Sequence, residues 1–175
     1  MVDEYRQPHV VNLRGDSDVG VDPGVRVSEV MAHPVITIEA NASLAEARDR
    51  LHQGGVHHLV VVDRGRMIAV VSDRDLLRAL SPFLGTIGEQ TRDTRTLLRP
   101  VFQVATYHPI TIRADASLYD AAALMLEHGI SCLPVLDRAE ALVGLVTTRD
   151  PMRGMVSCLL PAATDEGSAQ LGEIA

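Results

Sequence analysis

The chain reads as an α/β (α+β) protein in which one β-α-β-β-α unit is used twice, and three observations lead there. First, landmarks recur at a spacing of 74 or 75 residues: His33-Pro34 with His108-Pro109, Ser43-Leu44 with Ser117-Leu118, Asp63 with Asp137, and Asp75 with Asp150. Second, each copy holds a Ser-led stretch of helical periodicity. Third, each copy then holds two apolar strands around a short polar turn. A duplication of this period sets the architecture before any local assignment does. One copy alone is too small to bury its apolar face well, so the halves are expected to pack on each other.

The elements follow in order. Pro34 and Pro109 each introduce a β-branched run, Val35-Ile36-Thr37-Ile38 and Ile110-Thr111-Ile112, which favours an extended leading strand. Ser43-Leu44-Ala45-Glu46 is a capping box, with Leu44, Ala47 and Leu51 on one helical face. Ser117-Leu118-Tyr119-Asp120 is its counterpart, followed by Ala121, Ala122 and Met125. Gly54-Gly55 and Gly129 end these helices. Strands are expected over about 58–62 and 67–71 around Asp63-Arg64-Gly65-Arg66. Their counterparts fall over about 132–136 and 141–146 around Asp137-Arg138-Ala139-Glu140. Ser72 and Thr147 then begin a second helix in each copy. Residues 81–99 lack steady periodicity and read as a linker with one helical turn near Thr94–Leu98; they either cover an edge or form a lid. The divisions are therefore a 1–24 acidic leading segment expected to be flexible, repeat 25–80, linker 81–99, repeat 100–158, and a 159–175 acidic tail expected to be disordered.

Composition bounds the function. Of 175 residues 46% are apolar, enough for a sizeable core. No run approaches the roughly 18–20 apolar residues that span a bilayer. Met1-Val2-Asp3-Glu4 lacks the pattern of a signal peptide, so a cytoplasmic, soluble protein without membrane association is expected. The net charge of −7 sits mostly in the ends, with −3 in residues 1–24 and −3 in 159–175, leaving −1 for the middle. With 3% aromatic residues and no basic cluster, nucleic acid is not expected as a partner. All 16 basic residues are arginine, which suits bidentate phosphate contacts but follows equally from genome base composition. Cys132 and Cys158 form no spaced framework, and Cys132 reads as a small core residue.

Read together, Val30-Met31-Ala32-His33-Pro34-Val35-Ile36-Thr37-Ile38, Gly129-Ile130-Ser131-Cys132-Leu133-Pro134-Val135 and Gly144-Leu145-Val146-Thr147-Thr148-Arg149-Asp150 resemble a tandem pair of CBS domains, the module named after cystathionine beta-synthase. The resemblance covers about residues 27–157, with both copies in the same order. It is closest in kind to stand-alone bacterial CBS-pair proteins. It implies two repeats related by a pseudo-twofold, with clefts between them that take AMP, ADP, ATP or S-adenosylmethionine. It also implies a homodimer of pairs, and a protein target that the residues do not name.

The same resemblance places the candidate site. Ser72-x-x-Asp75 and Thr147-x-x-Asp150 match the family's hydroxyl-x-x-Asp ribose motif. A carboxylate can accept from both ribose hydroxyls. Equally, Ser/Thr-x-x-Asp/Glu is a capping box, and the chain has such stretches at 43, 72, 117 and 147. Thr37 and Thr111 match positions that line the purine side, or are ordinary β-branched strand residues. Ile130, Cys132, Leu133 and Pro134 match the strand that reads the adenine edge; the first copy has Leu59-Val60-Val61 and no proline there. Val56-His57-His58 match positions that aim at phosphate, with Ser131 and Cys132 standing in the second copy. Adjacent strand residues point oppositely, so one of the two histidines at most is expected in a given cleft. An imidazole beside a phosphate would make affinity pH-dependent. Two histidines without a third ligand do not make a metal site. Arg74 and Arg149 are phosphate partners or solvated surface residues.

Three functions are then in play. The first is a non-enzymatic sensor that binds an adenosyl ligand between the repeats and requires no cofactor. The second is a ligand-independent dimerisation scaffold. The third, an enzyme, has no recognisable nucleophile–base pair, phosphate loop or metal cluster, so no catalytic residue is expected.

Overall fold

The computed structural model describes residues 24–152. It contains two small sheets, each with helices on one face. The elements are α1 (Val27–Val30), β1 (Thr37–Glu39), α2 (Leu44–Gly54), β2 (His58–Asp63), β3 (Arg66–Ser72), α3 (Asp73–Ala79), α4 (Thr91–Arg95), β4 (Thr106–Tyr107), β5 (Ile112–Arg113), α5 (Leu118–His128), β6 (Cys132–Leu136) and β7 (Leu142–Thr147). A further helix begins at Arg149 and is followed to Met152. The first sheet has the order β1-β2-β3-β4 and the second β5-β6-β7. In both, the leading strand runs parallel to its neighbour and the hairpin is antiparallel.

Local chemistry explains these boundaries. The Ser43 and Ser117 hydroxyls accept from the N–H groups of Glu46 and Asp120, satisfying free amides at the starts of α2 and α5. Gly55 and Gly129 close the same helices at φ 60° and 63°, a left-handed turn that favours glycine. β1 and β5 differ in length for a chemical reason. The Val60 N–H donates to Ile36 O at 3.2 Å in the first sheet. The equivalent residue in the second is Pro134, which has no N–H to give, and β5 keeps two residues where β1 has three.

The sequence repeats and the packed cores do not coincide. The first core gathers Ile38, Leu44, Leu51, Leu59, Val61 and Val71, and is completed by Val101. The second gathers Ile112, Leu124, Leu133, Val135 and Val146, and is completed by Val27. Each core thus takes in the leading segment of the other repeat. Val27 N–H donates to Ala116 O at 2.9 Å, and Leu118 N–H to Val25 O at 2.9 Å. Ala32 then exchanges two backbone bonds with Leu145, as Thr106–Tyr107 pairs with β3 in the first half. Gly144 makes room for this: a Cβ there would collide with the Met31 side chain.

Between the sheets lies a third, smaller cluster of Val60, Cys132 and Leu145, with Val35, Val62 and Val70 against it. This is the seam. The 81–99 segment lies away from it, with Arg99 O accepting from Leu44 N–H at the start of α2. The single helical turn expected there is longer, with α4 running into a 3-10 turn over Thr96–Leu98. Asp93 anchors it, accepting from Ser81 Oγ at 2.7 Å and Gln90 N–H at 2.9 Å. The expectations for residues 1–23 and for the 159–175 tail fall outside the described residues.

Candidate functional site

A cleft of about 450 Å³ opens at the seam. Its walls are two turns that end a strand and start a helix. One is Ser72-Asp73-Arg74 at the β3–α3 junction. The other is Thr147-Thr148-Arg149-Asp150 after β7. The starts of β2 and β6 add Val56, His57, His58 and Ser131, and Ala32 and Leu145 complete the lining. The arrangement repeats across the seam: Asp73 N–H donates to His57 O and Thr148 N–H to Ser131 O, each at 3.1 Å.

The polar groups are tied to one another. His57 Nδ1 lies 2.7 Å from Asp73 Oδ2, and since a carboxylate only accepts, the imidazole N–H donates. Burial raises the Asp73 carboxyl, but the His57 bond and the Arg74 N–H outweigh it and hold it below its ordinary value. His58 Nε2 lies 3.0 Å from Ser131 Oγ, a bond between the two repeats. Burial lowers the His58 pKa, opposed by the nearby Asp73 carboxylate, so the ring is held neutral. The Thr147 N–H and Oγ1 donate to Asp150 Oδ2 at 2.7 and 3.0 Å. Ser72 N–H and Oγ do the same to Asp75 Oδ2 at 2.9 and 2.6 Å. At Ser72 the Asp75 N–H donates back to the hydroxyl at 3.3 Å and completes a capping box, whereas at Thr147 the carboxylate half of that pattern forms.

Of the residues singled out in the sequence, Val56, His57, His58, Ser72, Arg74, Thr147, Arg149 and Asp150 line this cleft. The others lie elsewhere. Thr37 sits half-buried in β1 and Asp75 just behind Ser72. Thr111 is fully buried, and its Oγ1 finds no partner among the described residues. Leu133 faces the second core with Ile130 packed against it, Cys132 faces the seam cluster, and Pro134 is buried within β6. Burial, then the Asp75 charge, push the Cys132 thiol up to about 12, so it stays protonated and unreactive. One expectation is corrected: both histidines line the same cleft. His57 precedes β2, which starts at His58, so strand alternation does not separate them. Asp73, Thr148, Ser131, Ala32 and Leu145 were not among the candidates. Asp73 and Thr148 sit inside the two hydroxyl-x-x-Asp stretches, which was the available signal.

The comparisons fit this geometry. The family model for the CBS domain matches residues 27–82 and 101–157. The chain belongs to the CBS domain family. Among relatives, a CBS domain-containing protein of Dictyostelium discoideum is 33% identical over 78% of this chain and 95% of its own length. L-Aspartate semialdehyde sulfurtransferase of Methanocaldococcus jannaschii is 29% identical over 75% of this chain, which spans only 23% of that enzyme. Among solved structures, CBSX2 in complex with AMP superposes with a TM-score of 0.62 at 28% identity, covering 78% of this chain and 100% of that one. The CBS pair fold accounts for the two sheets, the exchanged segments and the seam between them. No group of three His, Cys, Asp or Glu side chains among the described residues could hold a metal ion. No described helix is long and apolar enough to cross a membrane.

Proposed function

We propose that this CBS pair is a non-enzymatic regulatory module that takes an adenosine-containing ligand, AMP, ADP, ATP or S-adenosylmethionine, in the cleft between its repeats. The observation that carries the reading is the meeting of both hydroxyl-x-Arg-Asp turns, with two histidines, on one cleft of about 450 Å³. That volume is in the range of small-molecule sites, about 300–1,000 Å³. Asp150 offers a carboxylate for ribose hydroxyls, and Arg74 and Arg149 offer donors for phosphate. CBSX2, with the same pair fold, has been crystallised with AMP. Because the lining comes from both repeats, a ligand that binds one packing of the halves better than another shifts their equilibrium, the basis of a sensor. The module acts as a homodimer of pairs read by a protein target.

A thermal-shift screen tests this. An adenosine ligand at about 100 times its Kd adds about 2.7 kcal/mol of stability. The melting temperature is expected to rise with one or more adenosine ligands and not with guanine nucleotides. No shift with any adenosine ligand would favour the second reading, a ligand-independent dimerisation scaffold. Exposed Leu77 on α3, and Tyr119 and Leu126 seven residues apart on one face of α5, favour that reading.

A further inference from the structure

The two turns that face each other across the cleft differ in charge. Ser72-Asp73-Arg74-Asp75 carries a carboxylate where Thr147-Thr148-Arg149-Asp150 carries a hydroxyl. Asp73 and Thr148 both line the cleft, so the difference lies in the space a ligand would fill. Asp73 acts there twice. Its charge faces the cleft directly, with the side chain 43% exposed. Its Oδ2 also engages His57 at 2.7 Å, an imidazole that would otherwise be free to meet a phosphate.

The charges on the lining are balanced. Arg74 and Arg149 stand against Asp73 and Asp150, and His58 is held neutral by burial. A monophosphate brings a charge of about −1.5 to −2 near neutral pH. Its approach is offset by the two guanidinium groups. Each further phosphate adds negative charge with no further arginine among the described lining residues to meet it, and Asp73 repels it. We propose that Asp73 is a specificity residue, restricting the cleft to adenosine ligands with at most one phosphate and selecting against di- and triphosphates. This rests on the adenosine-ligand reading above.

Calorimetric affinities for adenosine, AMP, ADP and ATP in magnesium-free buffer test it. The proteins to compare are the wild type, Asp73→Thr, Asp73→Asn and Asp49→Asn. Asp73→Thr copies the hydroxyl of Thr148, and Asp73→Asn keeps the shape should the first variant fold poorly. Asp49 is an exposed carboxylate on α2 outside the cleft, and its variant makes the same change in net charge. The wild type is expected to bind AMP about tenfold or more tighter than ATP, and either Asp73 variant to close most of that gap with adenosine little changed. Asp49→Asn is expected to leave the gap intact. ATP binding as tightly as AMP in the wild type, or an AMP-to-ATP ratio unmoved in both Asp73 variants, would overturn the proposal while the adenosine reading stands. Failure of all four ligands to bind the wild type would overturn both.

Discussion

At Ser117 and at Thr147 a hydroxyl and a backbone N–H converge on one carboxylate oxygen three residues on, in Asp120 and Asp150. The carboxylate accepts in the same way at both, but only the second turn lines the cleft. Asp120→Ala and Asp150→Ala are each expected to lose about 1 kcal/mol in urea unfolding, the cost of a helix cap. Only Asp150→Ala is expected to weaken AMP binding by calorimetry; equal AMP affinity in the two variants would remove the ribose role. This pair also shows where the sequence stops being informative. Several Ser/Thr-x-x-Asp/Glu stretches share one spacing, and which of them faces a ligand depends on tertiary placement. His58 makes a second case. Burial depresses its pKa below the usual 6.5, so the fold favours the neutral ring. Its stabilising contribution is therefore complete above the unfolded value and is lost as pH falls through the lower folded value. Melting temperature is expected to fall in the wild type between about pH 7 and about pH 5, and to fall less in His58→Gln. Superimposable pH profiles would dismiss the buried imidazole as the cause.

Among elements, those with strong end signals were legible. Capping serines and closing glycines fixed α2 and α5, and apolar runs around polar turns fixed both hairpins to within a residue or two. The elements that periodicity could not reveal are the short ones that cross over. A four-residue α1 and a two-residue β4 are too brief to show a period. An apolar pattern says which face is buried but not in whose core. The exchange can be weighed at its two valines, Val27 in the second core and Val101 in the first, both with no exposed surface. Removing two methyl groups and leaving part of a cavity costs about 2 kcal/mol. Val27→Ala and Val101→Ala should therefore destabilise the protein alike in denaturant titrations. Near-wild-type stability for Val27→Ala would mean that α1 does not hold the second core.

For the molecule as a whole, the first core is made from one stretch of chain, with every member between Ile36 and Ala105. The second core needs residues from both ends of the described chain, from Val25 to Val146. A fragment of residues 33–107 contains the complete first core, whereas 25–80 lacks Val101, Val104 and Ala105. The longer fragment is expected to unfold cooperatively by circular dichroism and the shorter one not to. Similar melting curves for both would show that the borrowed segment is dispensable. The duplication therefore announced two alike lobes correctly, while the packing units are offset from the repeat by one crossover segment. It is this offset that brings Ala32 against Leu145 on the lining of the cleft.

The same crossover orders events at the ribosome. Val27 emerges before its neighbours Ile112 to Val146, so the nascent chain carries an unsatisfied apolar stub while the residues between them are made. The lobe made last must fold by recapturing the part made first. A pause in translation past Ala105 should therefore leave one lobe closed and the other waiting for its missing partner.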